Sequence, residues 1–252
     1  MLHLLHGWAE HALRYERFAA SATAAGIAVY ADDHRGHGRT GQAAGGLGDL
    51  GPRGADGVLD AVRAVSEVAF GEHPGRPRLL LGHSWGSFLG QRYLRRWGGE
   101  LEGAILTGTT LRRPGAVRTG SLNEPFEPAA TPYDWLSRDA VEVQRYVDDP
   151  LCGFEMISTP PPSATLSAPA PASAAPDDST VPTGLPLLIL NGGDDPIGGQ
   201  VGGQALADHY REAGLLDVTF RSYPGGRHEL LNETNRDEVT TDLLEWMVAR
   251  SG

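Results

Sequence analysis

The sequence predicts an α/β fold, a mostly parallel sheet of about six strands with helices on both faces. Three observations carry that expectation. Short apolar runs, unbroken at residues 79–81 and 187–190 and interrupted only by His3 at 2–5, have the length and continuity of strands buried on both sides. Between such runs lie stretches with apolar residues at helical spacing, as with Val58, Leu59, Val62 and Val65. A chain of 252 residues, 40% apolar and 21% charged, suits one domain of this kind and is too short for two.

Each element follows in turn. Residues 2–5 read as the first strand and 14–25 as a helix that stops at Gly26. Residues 27–32 read as the second strand, followed by a glycine-rich loop to about Gly54. The apolar stripe from Val58 to Val68 and Ala69 marks the next helix. The run ending at Leu81 is a strand, and Phe88, Leu89, Tyr93 and Leu94 recur at helical spacing after it. Residues 104–106, 187–190 and 218–223 supply three more strands. Helices are expected around 204–213 and over 232–249.

Residues 1–109 and 184–252 therefore form the core, and 110–183 an insertion between two strands. Its last part, 158–183, is almost wholly Pro, Ala, Ser, Thr and Asp. Such a stretch buries too little apolar area to offset its ordering entropy, so it is expected to be flexible.

The formal charge of −11 argues against nucleic acid or an anionic membrane surface as the main partner. No segment has the length of a membrane span, and the first residues lack the features of a signal peptide, so a cytoplasmic location is expected. The single cysteine, Cys152, excludes an internal disulfide and reads as a small packed residue.

The chemistry centres on Gly82-His83-Ser84-Trp85-Gly86. A serine at a sharp strand-to-helix turn needs small neighbours, which Gly82 and Gly86 provide. The turn lifts the hydroxyl clear of the backbone and puts the next amide beside it. Ser84 is thus the candidate nucleophile. A serine needs a base, and the base a group that fixes its tautomer. His228 follows the last strand and arises from the same sheet edge, where the loops of an open α/β sheet gather around a site.

The acid is expected after the strand at 187–190, where Asp194 and Asp195 are both available. The order Ser, Asp, His is that of a nucleophile elbow on an α/β sheet. Two backbone donors are needed for a tetrahedral intermediate. The amide of Trp85 follows the serine, and the turn His6-Gly7-Trp8 offers that of Trp8. His34 and His37 lack further ligands at zinc-like spacing, so no metal is expected and His34 reads as a hydrogen-bonded structural residue. The side chain of His83 is expected to point away from that of Ser84.

Taken together, these motifs resemble the α/β-hydrolase superfamily, in its monoacylglycerol lipase and lysophospholipase-like branch, also called serine aminopeptidase S33-like. The resemblance rests on His6-Gly7-Trp8-Ala9-Glu10-His11 with Arg14-Tyr15, on Asp33-His34-Arg35-Gly36-His37-Gly38 and on the serine turn. Tyr146 to Phe154, Gly192 to Pro196 and His228-Glu229 complete it. It implies an α/β-hydrolase fold, and selects Asp195, the aspartate before proline, as the acid. It also implies Trp8 as an oxyanion donor and ester hydrolysis without a cofactor, on monoacylglycerols, lysophospholipids or simpler acyl esters.

Two departures stand out. The family usually has one or two more strands before the His-Gly turn, and this sequence starts at that strand. Either the start is truncated or the sheet is a reduced one of about six strands with an exposed edge, and the cap insertion is reduced. Phe126, Trp135, Leu151, Phe154 and Met156 are the candidate acyl-chain lining. The alternatives are a peptidase or amidase with the same residues, or a non-catalytic ligand-binding relative. An epoxide hydrolase or dehalogenase would need a carboxylate at position 84.

Overall fold

A computed structural model describes residues 1–111, 121–155 and 177–250. The described strands are β1 (Leu2–Leu5), β2 (Val29–Ala31), β3 (Leu79–His83), β4 (Gly103–Thr107), β5 (Leu187–Gly192) and β6 (Val218–Tyr223). They form one sheet in the order β2-β1-β3-β4-β5-β6, parallel throughout. The described helices are α1 (Glu16–Ala24), α2 (Gly38–Ala43), α3 (Gly54–Glu72), α4 (Trp85–Trp97), α5 (Ala140–Asp148), α6 (Gly199–Glu212) and α7 (Arg236–Val248).

Alternation along each strand divides the core in two. Leu5, Leu80, Leu106, Leu187 and Ile189 face α3, α4 and α6 through Leu59, Val62, Leu89 and Tyr210. Leu2, Leu4, Leu81, Ile105 and Leu190 face α1 and α7 through Phe18, Val239 and Leu243. Strands covered on both faces are apolar at most positions, which is why their sequences read as nearly continuous runs, with buried His3, Thr107 and Asn191 among the exceptions. One edge of the sheet is β2, three residues long and only partly buried.

The chain runs from β1 outward to β2, then returns to place β3 on the other side of β1. This reversal opens a crevice between the carboxyl ends of β1 and β3, the place where open α/β sheets bind ligands. The turn after β1 and the turn at Ser84 meet there.

Several elements differ from expectation. The loop before Gly54 contains α2, whose sequence GRTGQA is a poor helix former. Its formation depends on Asp33, which accepts the Arg39 amide at 2.8 Å and the Ala12 amide at 2.9 Å. The first helix opens with a 3-10 turn at Ala12–Tyr15, and the last begins at Arg236 after a separate 3-10 turn at Leu230–Asn232.

The insertion contributes α5, capped by Asp139, whose side chain accepts the amides of Val141 and Glu142. Of the stretch expected to be flexible, residues 158–176 lie outside the described residues. Residues 177–183 pack on the core instead. Asp178 is buried between Arg95 Nε (2.6 Å) and His209 Nε2 (2.8 Å), and Val181 is buried nearby. Arg95 and His209, distant in the sequence and invisible in local composition, hold this piece.

Candidate active site

The site starts from a backbone constraint. Ser84 has φ 52° and ψ −120°, left-handed territory for a residue with a Cβ. The strain is held from both sides: the Ser84 amide donates to Thr107 O at 2.9 Å, and Ser87 Oγ donates to Ser84 O at 2.6 Å. A Cβ on Gly82 would meet Gly86 O at 2.5 Å, and one on Gly86 would run into the carbonyls of Leu5 and His6. Both glycines are therefore fixed by contact as well as by the turn. The Trp85 amide is the first of α4 and has no intrahelical acceptor.

The facing turn is built from histidines. His6 Nε2 accepts the His34 amide at 3.0 Å, which leaves its Nδ1–H to donate to Gly7 O at 2.8 Å. Across a trans peptide, a Gly7 carbonyl held by His6 turns the Trp8 N–H the opposite way. The Gly7 amide donates to Glu10 Oε1. Ala9 sits at φ 53°, and its carbonyl accepts Tyr146 Oη and the Gly153 amide, both at 2.9 Å. The insertion thus braces the turn from outside.

The reading of His34 as hydrogen-bonded holds for its backbone. Its ring instead stacks on His6 at 4.0 Å, with Nδ1 3.5 Å from Asp32 Oδ2. Burial works against the Asp32 carboxylate, yet His3 and His34 beside it hold its pKa well below the usual range. Burial, with His34 next to them, pushes His6 well down and His37 to about 3. These imidazoles are neutral and act as packed aromatic surface: His37 stacks on Trp85 at 5.1 Å, and Trp8 meets Trp85 edge-on at 5.2 Å.

His228 lies after β6. Its Nδ1–H donates to Asp195 Oδ2 at 3.0 Å, and its Nε2 is buried with no hydrogen-bond partner among the described residues. Burial alone would lower its pKa, but Asp195, then Glu229 and Glu10, more than offset this, and it is raised above the ordinary imidazole value. Asp195 is 5% exposed and its other oxygen accepts the Ile197 amide at 2.8 Å, whereas Asp194 is solvent-exposed.

His83 is buried with its ring 4.7 Å from that of His228, and its Nδ1 is 3.0 Å from Thr107 Oγ1. Burial, then His228, pushes His83 down to about 3, so it offers the site no competing base.

Ser84 and His228 line one cavity of about 610 Å³. Its apolar wall is Trp8, Phe88, Leu122, Trp135, Phe154 and Ile197. Of the expected lining, Trp135 and Phe154 are there. Phe126 is not, because its ring lies under the Arg227 guanidinium at 4.1 Å. Leu151 belongs to the turn closed by Asp149 and is also off the wall, and Met156 lies outside the described residues. Sequence reasoning missed Phe88, Leu122 and Ile197. The first lies one turn into α4, where helical spacing from Ser84 could have found it.

Among the described residues one group has ligand types within metal reach, His11, Asp149 and Cys152, with ligand atoms within 4.8 Å. His11 Nε2 already bonds Asp149 Oδ2 at 2.8 Å, and burial pushes the Cys152 thiol well up, away from the thiolate a metal would need. A second cavity, of about 690 Å³, opens beside this group among Arg14, Arg17, Glu142 and Arg145. Neither Ser84 nor His228 reaches it. No described helix is long and apolar enough to cross a membrane.

With this geometry in place, residues 1–235 match the family described as serine aminopeptidase, S33. The chain belongs to that family. It is 31% identical over 255 residues to a monoacylglycerol lipase of Mycolicibacterium smegmatis, covering 98% of this chain and 87% of that one. It is 26% identical to the human monoglyceride lipase, over 97% of this chain and 79% of the relative.

A thermostable carboxyl esterase from Bacillus coagulans, solved with glycerol, superposes with a TM-score of 0.87 at 28% identity. The match covers all of this chain and 90% of the esterase. This S33 family member is a hydrolase with the α/β-hydrolase fold.

The close contacts at the serine turn lead to a contrast between two glycines. Gly86→Ala is expected to destabilise by about 3 kcal/mol or more, because backbone carbonyls cannot yield to the new Cβ. Gly71, in α3, has nothing within 4 Å of an added Cβ. Gly71→Ala should therefore stabilise by about 0.5–1 kcal/mol. Urea unfolding of the two variants measures both signs.

Proposed function

We propose that this protein is a serine carboxylic-ester hydrolase that works through Ser84, His228 and Asp195 and a covalent acyl-enzyme. The observation that carries the reading is the state of His228. Its Nδ1–H is committed to a buried carboxylate, which leaves a lone pair on Nε2, and the residue lines the same cavity as Ser84.

In this mechanism His228 Nε2 takes the proton of Ser84 Oγ as the oxygen attacks the ester carbonyl. The carbonyl oxygen becomes an oxyanion held by the amides of Trp8 and Trp85. Each such donor contributes on the order of 10²–10³ in rate. The C–O bond to the alcohol then breaks, and His228 returns its proton to the leaving oxygen. Water, deprotonated by the same imidazole, releases the acid and restores Ser84. Asp195 stabilises the imidazolium at each stage.

The wall of Trp8, Phe88, Leu122, Trp135, Phe154 and Ile197 suits an acyl chain. Monoacylglycerols, lysophospholipids or simpler acyl esters are the substrate classes in this reading; the relatives' names support the first and the last. The aminopeptidase name of the family keeps amide hydrolysis as the second reading. An aminopeptidase would also need an anionic group for the free substrate amine, and Glu10 and Glu229 in this cavity are both engaged by Arg14.

Ser84→Ala should lower turnover by on the order of 10⁵–10⁶ with folding unchanged. Hydrolysis of nitrophenyl esters, with matched anilides for the amide reading, gives the readout. A variant that retains its esterase activity contradicts the assignment.

The raised pKa of His228 sets the pH profile. The neutral imidazole is the base, so kcat/KM should fall on the acid side with a midpoint above the ordinary imidazole value. Asp195→Asn removes the main charge that raises it. That variant should shift the acid limb to lower pH and cut kcat by roughly 10⁴. A wild-type limb below the ordinary value would count against His228 as the base.

A further inference from the structure

A buried set of charges beside the site has no part in the steps above. Arg14, Glu10 and Glu229 have side chains 9%, 3% and 6% exposed. Arg14 Nη1 donates to Glu10 Oε2 at 2.7 Å and to Glu229 Oε1 at 2.5 Å, and Nη2 donates to Glu229 Oε2 at 2.6 Å. Glu10 turns its other oxygen to the Gly7 amide and to Tyr15 Oη, the latter at 2.7 Å. Glu229 Oε2 also accepts Asn232 Nδ2 at 3.1 Å. Arg14 lies over the Tyr146 ring at 4.8 Å, and Tyr146 Oη holds Ala9 O.

The placement of these groups is informative. Gly7 directly precedes Trp8, the residue whose amide is read as an oxyanion donor. Glu229 directly follows His228. The two segments lie about 215 positions apart in the chain, and a single guanidinium joins them through a two-pronged bond to one carboxylate and a single bond to the other. Burying three charges is costly, and such sets are often no more stabilising than apolar side chains of the same size. An apolar contact would also leave the two loops free to slide, while a planar fork fixes distance and angle together.

We propose that Arg14 is a positioning residue that, through Glu10 and Glu229, sets the oxyanion turn and the base loop at their working separation. The proposal rests on the reading of Ser84 and His228 given above. It makes the two carboxylates more than structural, because they also act on His228 through space. The charged and titratable groups around His228 are Asp195 from the loop after β5, His83 at the end of β3, Glu10 and Arg14 from the turn after β1, and its own neighbour Glu229. Of these, Asp195, Glu229 and Glu10 favour the imidazolium.

The test is the pH dependence of kcat and KM for a nitrophenyl ester, with thermal unfolding in parallel, for the full chain and three variants. Arg14→Lys keeps the charge and loses the fork. It should lower kcat about tenfold or more while KM stays within about threefold, at temperatures well below unfolding. Glu229→Gln removes a negative charge beside His228, so the acid limb should move to lower pH. Glu10→Gln should move it in the same direction and by less, and stands as the check if Glu229→Gln does not fold.

A merely structural role predicts a lower unfolding temperature with an unmoved acid limb. The proposal is overturned if Arg14→Lys keeps kcat within twofold and the glutamine variants that fold leave the limb in place. Failure of the underlying reading looks different, since the wild type itself would then lack esterase activity and its Ser84 would not react with a fluorophosphonate.

Discussion

The start of α4 lies so close to the ends of β1 and β3 that neither Gly86, against β1, nor Gly82, against α4, can carry a side chain, and this packing governs the rest of the site. It forces Ser84 into a left-handed conformation, pinned by the Thr107 carbonyl on one side and by Ser87 on the other. It brings the turn after β1 against the serine, so that a Cβ on Gly7 would lie 3.1 Å from that of Ser84. The strain at one residue is offset by a parallel sheet whose central strands β1, β3, β4 and β5 are buried on both faces. A looser scaffold would relax Ser84 and lose the shape of the site.

Around this contact the protein sorts its ionisable groups into neutral and charged sets. His6, His37 and His83 are pushed down by burial and serve as aromatic packing. His228 is buried just as deeply, yet Asp195 raises it, so one imidazole among several neighbours is poised to take a proton. Arg14 remains charged despite its burial because Glu229 and Glu10 surround it. Location in the same interior thus produces opposite outcomes, decided by whether a carboxylate stands within hydrogen-bond reach.

Much of this was legible in the sequence, and the reason differs by element. The central strands were readable because burial on both faces leaves a nearly continuous apolar run. Ser84 and its glycines were readable because the close approach dictates residue type. His228 and the pair Asp194 and Asp195 followed from their places after strands. The choice of Asp195 came from the resemblance, and the structure puts the hydrogen bond to His228 on it while Asp194 faces solvent.

Contacts between distant segments were not legible. Residues 177–183 are held by Asp178 with Arg95 and His209. Phe126 looked like acyl-chain lining from its character alone and instead covers Arg227. Arg14 was visible only as part of a motif, since its partner Glu229 lies at the other end of the chain.

The central claim is that the acyl group of a substrate passes through Ser84. Mixing the protein with an activated nitrophenyl ester, quenching in acid within a turnover and mapping the modified peptide by mass spectrometry tests it directly. The account predicts one acyl adduct, on Ser84, that forms and decays at the rate of turnover. Hydrolysis with no adduct, or an adduct confined to another nucleophile such as Cys152, would contradict it.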